Sequence, residues 1–150
     1  MGQPGKMKRI ALLFIPLLAF TFRAEPLPIT WKRLTDVRFT RKLNKELSMY
    51  FLYPTFGPSV NVLHDKEVSI RGYMIPVDEN DNIYVISAKP MAACFFCGGA
   101  GPESIMELQF RKKKQRFRTD EVLTVRGRLT LNANDVDHLN YMLRDAEVIE

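Results

Sequence analysis

The chain has few cysteines and no apolar run long enough for an ordinary membrane-spanning helix. Its longest apolar stretch is residues 10–22, interrupted only by Pro16 and Thr21. As a helix this stretch would be about 20 Å long, whereas the hydrocarbon core of a bilayer is roughly 30 Å thick. No cysteine directly follows the stretch, which excludes a lipid-anchored lipoprotein of the usual bacterial kind. A stable membrane span is therefore disfavoured.

Recognisable catalytic motifs are absent as well. The sequence contains no Ser/His/Asp hydrolase signature, no phosphate-binding loop and no carboxylate pair of the glycosidase kind. Asp135, Asp137 and His138 lie close together, but Asn and Asp are favoured caps of a helical turn, which explains this cluster more simply. The sequence therefore does not predict an enzyme.

Excess positive charge is confined to the N-terminus. The net charge is +5, yet from Glu25 onward 18 basic residues are matched by 17 acidic ones. A domain of balanced charge gives no support for nucleic-acid binding, and the basic run at 111–118 is interpreted as a solvated loop. We expect no nucleic-acid partner, leave peripheral or anchored membrane association open, and find no feature that identifies a protein partner.

The first 24 residues have the order of a secretory signal, because three basic residues precede the apolar stretch. Bulky Leu17 and Phe22 stand where a cleavage site needs small residues, so residues 1–24 are predicted to be a signal peptide or an uncleaved signal anchor. The alternative is a buried N-terminal core helix. Export to the periplasm or cell envelope is the preferred interpretation, with 25–30 as a linker and 31–150 as one domain.

Short β-branched and aromatic segments predict a β-rich domain. Gly72 and Gly127 lie inside two of these segments and predict bends or bulges. This pattern favours a mainly β fold, a small antiparallel OB-like barrel of five or six strands. Residues 41–53 stay unassigned between helix and strand, and a single helical turn is expected at 136–139. The predicted strands are 34–40, 68–75, 83–87, 104–110, 122–131 and 141–149.

The segment that begins at Cys94 is the one that general packing does not explain. Cys94 and Cys97 are three positions apart, a spacing found in zinc sites and in dithiol redox sites. Three glycines and a proline follow at 98–102, which indicates a specially shaped loop. Because residue 98 is glycine rather than histidine, covalent haem attachment is excluded. Glycines and a proline stand where a thioredoxin-type helix would begin, which argues against thioredoxin-like catalysis.

Two thiolates supply half of a tetrahedral zinc site. His64 and His138 complete a Cys2His2 set arithmetically, although they are 74 residues apart, and Glu103 or Glu107 are alternative donors. In an oxidising compartment the same two cysteines would instead form a disulfide unless a metal or a reductase intervenes. Both interpretations remain open.

Three features of the sequence occur together: Trp31 with Leu34, a Gly-Tyr-x-x-Pro strand at 72–76, and Cys-x-x-Cys-Gly-Gly-x-Gly-Pro-Glu at 94–103. In this order and at this separation they resemble a family of exported bacterial proteins of unknown function, DUF3299. The resemblance covers most of the chain from Trp31 onward. It implies a small β-barrel outside the cytoplasm, in a family of which some members are expected to handle metals. Other branches have Cys-x-His and a proline-rich loop here, so only Cys94 carries over directly.

The leading hypothesis is an exported small binding module that holds zinc or copper through Cys94 and Cys97, with His138 or His64 as a further ligand. The alternative is a structural or interaction protein without a ligand, stabilised by a Cys94–Cys97 disulfide. A dithiol redox protein is the less favoured third hypothesis.

Overall fold

The structure is a computed structural model that describes residues 2, 25–112 and 115–150. The predicted signal segment lies outside these residues, apart from residue 2. No helix in the described part of the chain is both long and apolar enough to cross a bilayer.

Within the described ranges, eight strands and two short helices make up the regular structure. The helices are α1 (Trp31–Leu34) and α2 (Pro58–Asn61). Between β5 and β6 the chain forms three 3-10 turns, at Met91–Ala93, Phe95–Cys97 and Pro102–Ser104. The strands are β1 (Leu27–Pro28), β2 (Val37–Asn44), β3 (Met49–Phe56), β4 (Glu67–Asp78), β5 (Ile83–Ser87), β6 (Ile105–Phe110), β7 (Val122–Leu131) and β8 (Tyr141–Val148).

Five of the strands close into a barrel. Their order is β4-β5-β6-β8-β7, and β7 pairs back with β4. All pairs within this ring are antiparallel except β6 with β8, which is parallel. The predicted mainly β, OB-like barrel is thus confirmed, although the ring is mixed rather than purely antiparallel. β1 adds a short parallel strand to β4.

The long strand β4 closes the barrel because it changes partners along its length. Its first half pairs with β7 and its second half with β5, and both registers meet at Tyr73. Gly72 lies at this changeover, where a Cβ atom would stand 2.6 Å from the Ser87 carbonyl oxygen. Only glycine lets the two strands approach so closely. At Gly127 the pairing of β7 with β8 shifts register, so the bulge predicted there is confirmed.

Alternate residues of the barrel strands fill its interior. This main cluster has sixteen buried residues, including Leu34 from α1 and Val60 from α2, which cover one end. A second, smaller cluster lies on the outer face and contains Ile75, Val85, Cys94 and Ile105. Both clusters in the described part of the chain consist of residues from Ile29 onward.

The strands β2 and β3 form a separate antiparallel hairpin. Residues 41–53, which the sequence left unassigned between helix and strand, therefore belong to two strands and the turn between them. The root of the hairpin is attached to the barrel, since Pro54 is buried and the Phe56 ring meets the Tyr141 ring edge-on at 5.5 Å. Asp36 fixes the same root by accepting hydrogen bonds from the backbone N–H and hydroxyl of Ser59, which lower the pKa of its carboxyl group. The outer half carries exposed side chains.

Two local expectations are wrong. Leu34 belongs to helix α1 rather than to a strand, because its side chain turns inward to cover the barrel end. Residues 136–139 form a turn without regular helix. The buried Asn132 side chain organises this turn by accepting hydrogen bonds from the N–H groups of Asn134 and Asp135.

Candidate functional site

The cysteine loop, residues 88–104, lies across the outer face of β5 and β6. Its anchor is Cys94, whose side chain is completely buried against Ile75, Val85 and Ile105. Cys97, by contrast, is exposed, and both cysteines are free thiols. A thiol buried among apolar side chains behaves as a small hydrophobic group, whereas an exposed thiol is available for oxidation or metal binding.

Backbone hydrogen bonds fix the turn that separates the two thiols. The Cys94 carbonyl oxygen accepts from the N–H of Cys97 at 3.2 Å and from the N–H of Gly99 at 3.1 Å. Gly98 ends the turn with a φ of 75°, in the left-handed region. A Cβ atom on Gly99 would come 2.5 Å from the Ala93 carbonyl oxygen. The glycines that follow the cysteines therefore shape a tight turn.

A groove separates the cysteine loop from the outer half of the hairpin. Its volume is about 300 Å³, and its lining comes from β3, from the cysteine loop with the start of β6, and from residues 136–140. Phe95, Ile105 and Leu139 belong both to this lining and to the surroundings of Cys94. The lining residues are Tyr50, Phe51, Leu52, Phe95, Pro102, Ile105, Val136, Leu139 and Asn140. All of them except Asn140 carry apolar or aromatic side chains.

Arg41 lies next to two of the residues that line this groove. It is the cross-strand partner of Leu52, and its guanidinium carbon lies 4.5 Å from the centroid of the Tyr50 ring. Tyr50 and Leu52 are both groove residues. A guanidinium stacked on an aromatic ring keeps edge N–H donors free for an anion.

His138 and Glu107 form a second cluster on the same outer face. The Glu107 side chain, 15% exposed, accepts from His138 Nδ1 at 2.9 Å and from the backbone N–H of Leu139 at 3.2 Å. Gln109 Nε2 donates to Glu107 Oε1 at 2.9 Å. A carboxylate that holds Nδ1 of a histidine directs Nε2 outward, an arrangement common behind metal-ligating histidines. A cavity of about 320 Å³ adjoins His138.

His64 lies in a different environment. Its Nδ1 accepts a hydrogen bond from the backbone N–H of Leu131 at 3.1 Å, and its Nε2 lies 3.6 Å from an Asp65 oxygen. The Nδ1 atom is thus occupied in fixing the chain next to β7.

The predicted ligand set is not drawn into one cluster. No group of three or more His, Cys, Asp or Glu side chains that could hold a metal ion occurs among the described residues. Cys94 faces the outer apolar cluster, Cys97 faces solvent, and His138 is paired with Glu107.

Two features of this face were not predicted from the sequence. The first is the groove, whose walls are brought together only by the tertiary structure. The second is the hydrogen bond between Glu107 and His138, although both residues were named as candidate metal ligands. The alternation of Ile105, Glu107 and Gln109 along β6 could have placed Glu107 on the outer face.

No family model matches the chain, and no curated protein matches it. Among solved structures, the crystal structure of a DUF3299 family protein from Pseudomonas aeruginosa is similar, with a TM-score of 0.53 and 13% sequence identity. The match covers 85% of this chain and 98% of that one. At this identity the likeness shows a common fold. The chain therefore has the fold of a DUF3299 protein.

Proposed function

We propose that the chain is an exported binding module, a divergent relative of the DUF3299 proteins, that takes a small aromatic anion into the groove between β3 and the cysteine loop. The observation that carries this proposal is the composition of the groove. Eight of its nine lining residues are apolar or aromatic, and they come from separate segments of the chain. Such concave, mostly apolar sites are typical of ligand-binding proteins.

The size and walls of the groove favour a small aromatic ligand. A volume of about 300 Å³ is at the lower end of the range for small-molecule sites. Tyr50, Phe51 and Phe95 place aromatic rings around it. Aromatic rings pack against one another in offset or edge-on geometry, with an energy beyond that of area burial alone.

Arg41 favours a negative charge on that ligand. Its guanidinium lies over the ring of Tyr50, a groove residue, and a carboxylate or sulfonate held beside that ring would receive charge-assisted hydrogen bonds. Asn140 adds a polar group at the opposite wall, where its Nδ2 donates to the Asn132 carbonyl oxygen and leaves its own side-chain oxygen as an acceptor.

Fluorescent probes of matched shape test this function. Anilinonaphthalene sulfonate is an aromatic anion, and phenylnaphthylamine is its uncharged counterpart. Both are titrated into the chain beginning at Glu25. We expect saturable binding of the anion that Leu52→Glu weakens at least tenfold, because the substitution puts a carboxylate into the groove. Val77→Glu is the control, since Val77 on β4 is 52% exposed and Leu52 is 45% exposed.

A second comparison isolates the charge of Arg41. Arg41→Gln should weaken the anionic probe about tenfold and leave the uncharged probe within about twofold, since a charge-assisted hydrogen bond contributes roughly 1.5 kcal/mol or more. Equal weakening of both probes, or equal effects of the substitutions at 52 and 77, would overturn the proposal.

Metal binding is a second candidate function, favoured by the Glu107–His138 contact. We propose that zinc or copper binds at an open site with His138 Nε2 and the exposed Cys97 thiolate as its protein ligands, the remaining positions being filled from solution. Participation of Cys94 requires its thiol to leave the apolar cluster around Ile105. Imidazole and thiolate are ligands that suit both metals.

Metal binding is tested by titrating the reduced protein with zinc and measuring the heat of binding by calorimetry. We expect His138→Gln and Cys97→Ser each to abolish stoichiometric binding, whereas His64→Gln leaves it unchanged. If Cys94→Ser abolishes binding and Cys97→Ser does not, the ligand assignment is wrong. One bound zinc in every variant would indicate sites elsewhere and overturn the candidate.

A further inference from the structure

The outer end of the hairpin carries exposed apolar side chains that belong to neither buried cluster. We define the hairpin tip as residues 42–49. It includes Leu43, Leu47 and Met49, which are 49%, 50% and 59% exposed. Of the thirteen large hydrophobic residues exposed in the described part of the chain, five lie within residues 43–52. Clustered exposure of this kind marks an interaction site more often than scattered exposure does.

Positive charge is segregated onto the same hairpin. Residues 37–56 contain four basic residues and one acidic residue, a net charge of +3. The rest of the chain from Glu25 onward has 14 basic and 16 acidic residues, a net charge of −2. Lys42 and Lys45 stand at the tip itself, next to the exposed apolar residues, and both are exposed.

The hairpin places this tip far from its root. Its eight-residue strands extend about 25 Å at the usual rise per residue, and the root is held through Pro54 and Phe56. The turn is locally fixed, because the Asn44 side-chain oxygen accepts from the backbone N–H groups of Glu46 and Leu47. The apolar tip is thus presented to solvent on a braced turn.

We propose that the hairpin tip docks on an anionic lipid bilayer, with Leu47 and Met49 entering the headgroup and acyl boundary while Lys42 and Lys45 bind lipid phosphates. Flanking cations with a small apolar wedge are the composition by which proteins attach to the membrane interface. The inference is independent of the proposed groove function, because the residues that enter the bilayer do not line the groove.

The tip fits a lipid surface better than a protein partner. Three aliphatic side chains are far from the roughly 800 Å² per partner that a stable protein interface buries. A symmetric tip-to-tip contact between two copies would also bring the positive hairpins together, which costs free energy by like-charge repulsion. A bilayer with anionic lipids offers the opposite charge and accepts a small wedge.

Co-sedimentation with vesicles tests the proposal. The chain beginning at Glu25 is used, because it contains both buried clusters and lacks the apolar stretch at 10–22. Vesicles of phosphatidylcholine alone are compared with vesicles that also contain phosphatidylglycerol. We expect binding to the mixed vesicles at least tenfold stronger than to phosphatidylcholine. The double variant Leu47→Asp, Met49→Asp should lose binding, whereas the equally exposed control Val77→Asp should keep it.

Charge reversal separates the two parts of the mechanism. Lys42→Glu with Lys45→Glu should weaken binding to the phosphatidylglycerol vesicles at least tenfold, since each basic residue near an anionic surface contributes a factor of about five. The same variant should leave the weak binding to phosphatidylcholine unchanged.

Several results would overturn the proposal. They are no binding to either vesicle, equal binding to both, or equal loss with Val77→Asp. Self-association in the ultracentrifuge that the tip variants abolish would assign the tip to a second copy instead. In the full-length chain, brominated lipids should quench the tryptophan introduced by Met49→Trp and should not quench the one introduced by Val77→Trp.

Discussion

The Tyr141 hydroxyl donates a hydrogen bond to the backbone carbonyl oxygen of Leu34 at 2.7 Å, across 107 positions of sequence. Both residues are completely buried. The contact joins the start of β8 to the end of α1, and the Phe56 ring packs on the same tyrosine. Tyr141 thus connects the barrel, its end cover and the hairpin root.

Removing this hydroxyl should weaken the whole domain. Tyr141→Phe keeps the ring but leaves a buried carbonyl oxygen without its donor, so we expect the free energy of unfolding to fall by about 1–3 kcal/mol. Urea denaturation followed by circular dichroism measures the change. Tyr50→Phe is the control, because Tyr50 is 60% exposed. A loss below about 0.5 kcal/mol would show that water replaces the bond.

The same hydroxyl should make the domain sensitive to alkali. Burial, with smaller contributions from Glu103 and Asp36, raises the pKa of Tyr141 well above its ordinary value. Its stabilising contribution is therefore fully present below the unfolded pKa of about 10 and is lost as the pH rises above it, at no more than about 1.4 kcal/mol per pH unit. The difference in unfolding free energy between wild type and Tyr141→Phe should shrink above pH 10. A constant difference would contradict the assignment.

The two cysteines should respond differently to substitution. Cys94→Ser places a hydroxyl in the apolar cluster and should cost about 1–3 kcal/mol, whereas exposed Cys97→Ser should stay within about 0.5 kcal/mol. In the reduced native protein a thiol reagent should label Cys97 rapidly and Cys94 only on unfolding. Two results would show that the loop opens. One is an equal labelling rate for both thiols. The other is a protein that keeps its fold after air oxidation while its mass shows a closed Cys94–Cys97 disulfide.

Gly72→Ala should be strongly destabilising, because the added methyl group meets the Ser87 carbonyl oxygen and the Ile86 side chain within 3 Å. We expect a loss of about 2–3 kcal/mol from strain and weakened pairing of β4 with β5. Thermal unfolding measures it. Ala100→Gly, in the cysteine loop, is a control for a substitution of the same size. If Gly72→Ala has the same unfolding temperature as the wild type, β4 and β5 must move apart at Gly72 at little cost in free energy.

Local patterning predicted most of the strands but not their surroundings. β5 and β7 match their predicted bounds, since bounded β-branched runs leave little choice of conformation. The hairpin at 41–53 was ambiguous, because Leu43, Leu47 and Tyr50 have helical spacing while their strand pairing depends on a distant root. In the basic run at 111–118 the described basic side chains are exposed, as expected for a solvated loop. Pattern alone does not predict that Phe117 packs on Phe110 and on the buried Tyr84 of the barrel core.

The candidate site was only partly predictable, because it too depends on contacts between residues that are far apart in the chain. Sequence alone determined that the chain contains a cysteine pair in a glycine-shaped loop, that its strands suit a small barrel, and that its domain has balanced charge, since these follow from residue type and local spacing. The tertiary structure decided that Cys94 faces apolar side chains while Cys97 faces solvent. It also decided that Glu107 holds His138 and that a groove forms beside β3. Burial and side-chain partners depend on which strands close the barrel, and that closure is set by contacts between residues far apart in the chain.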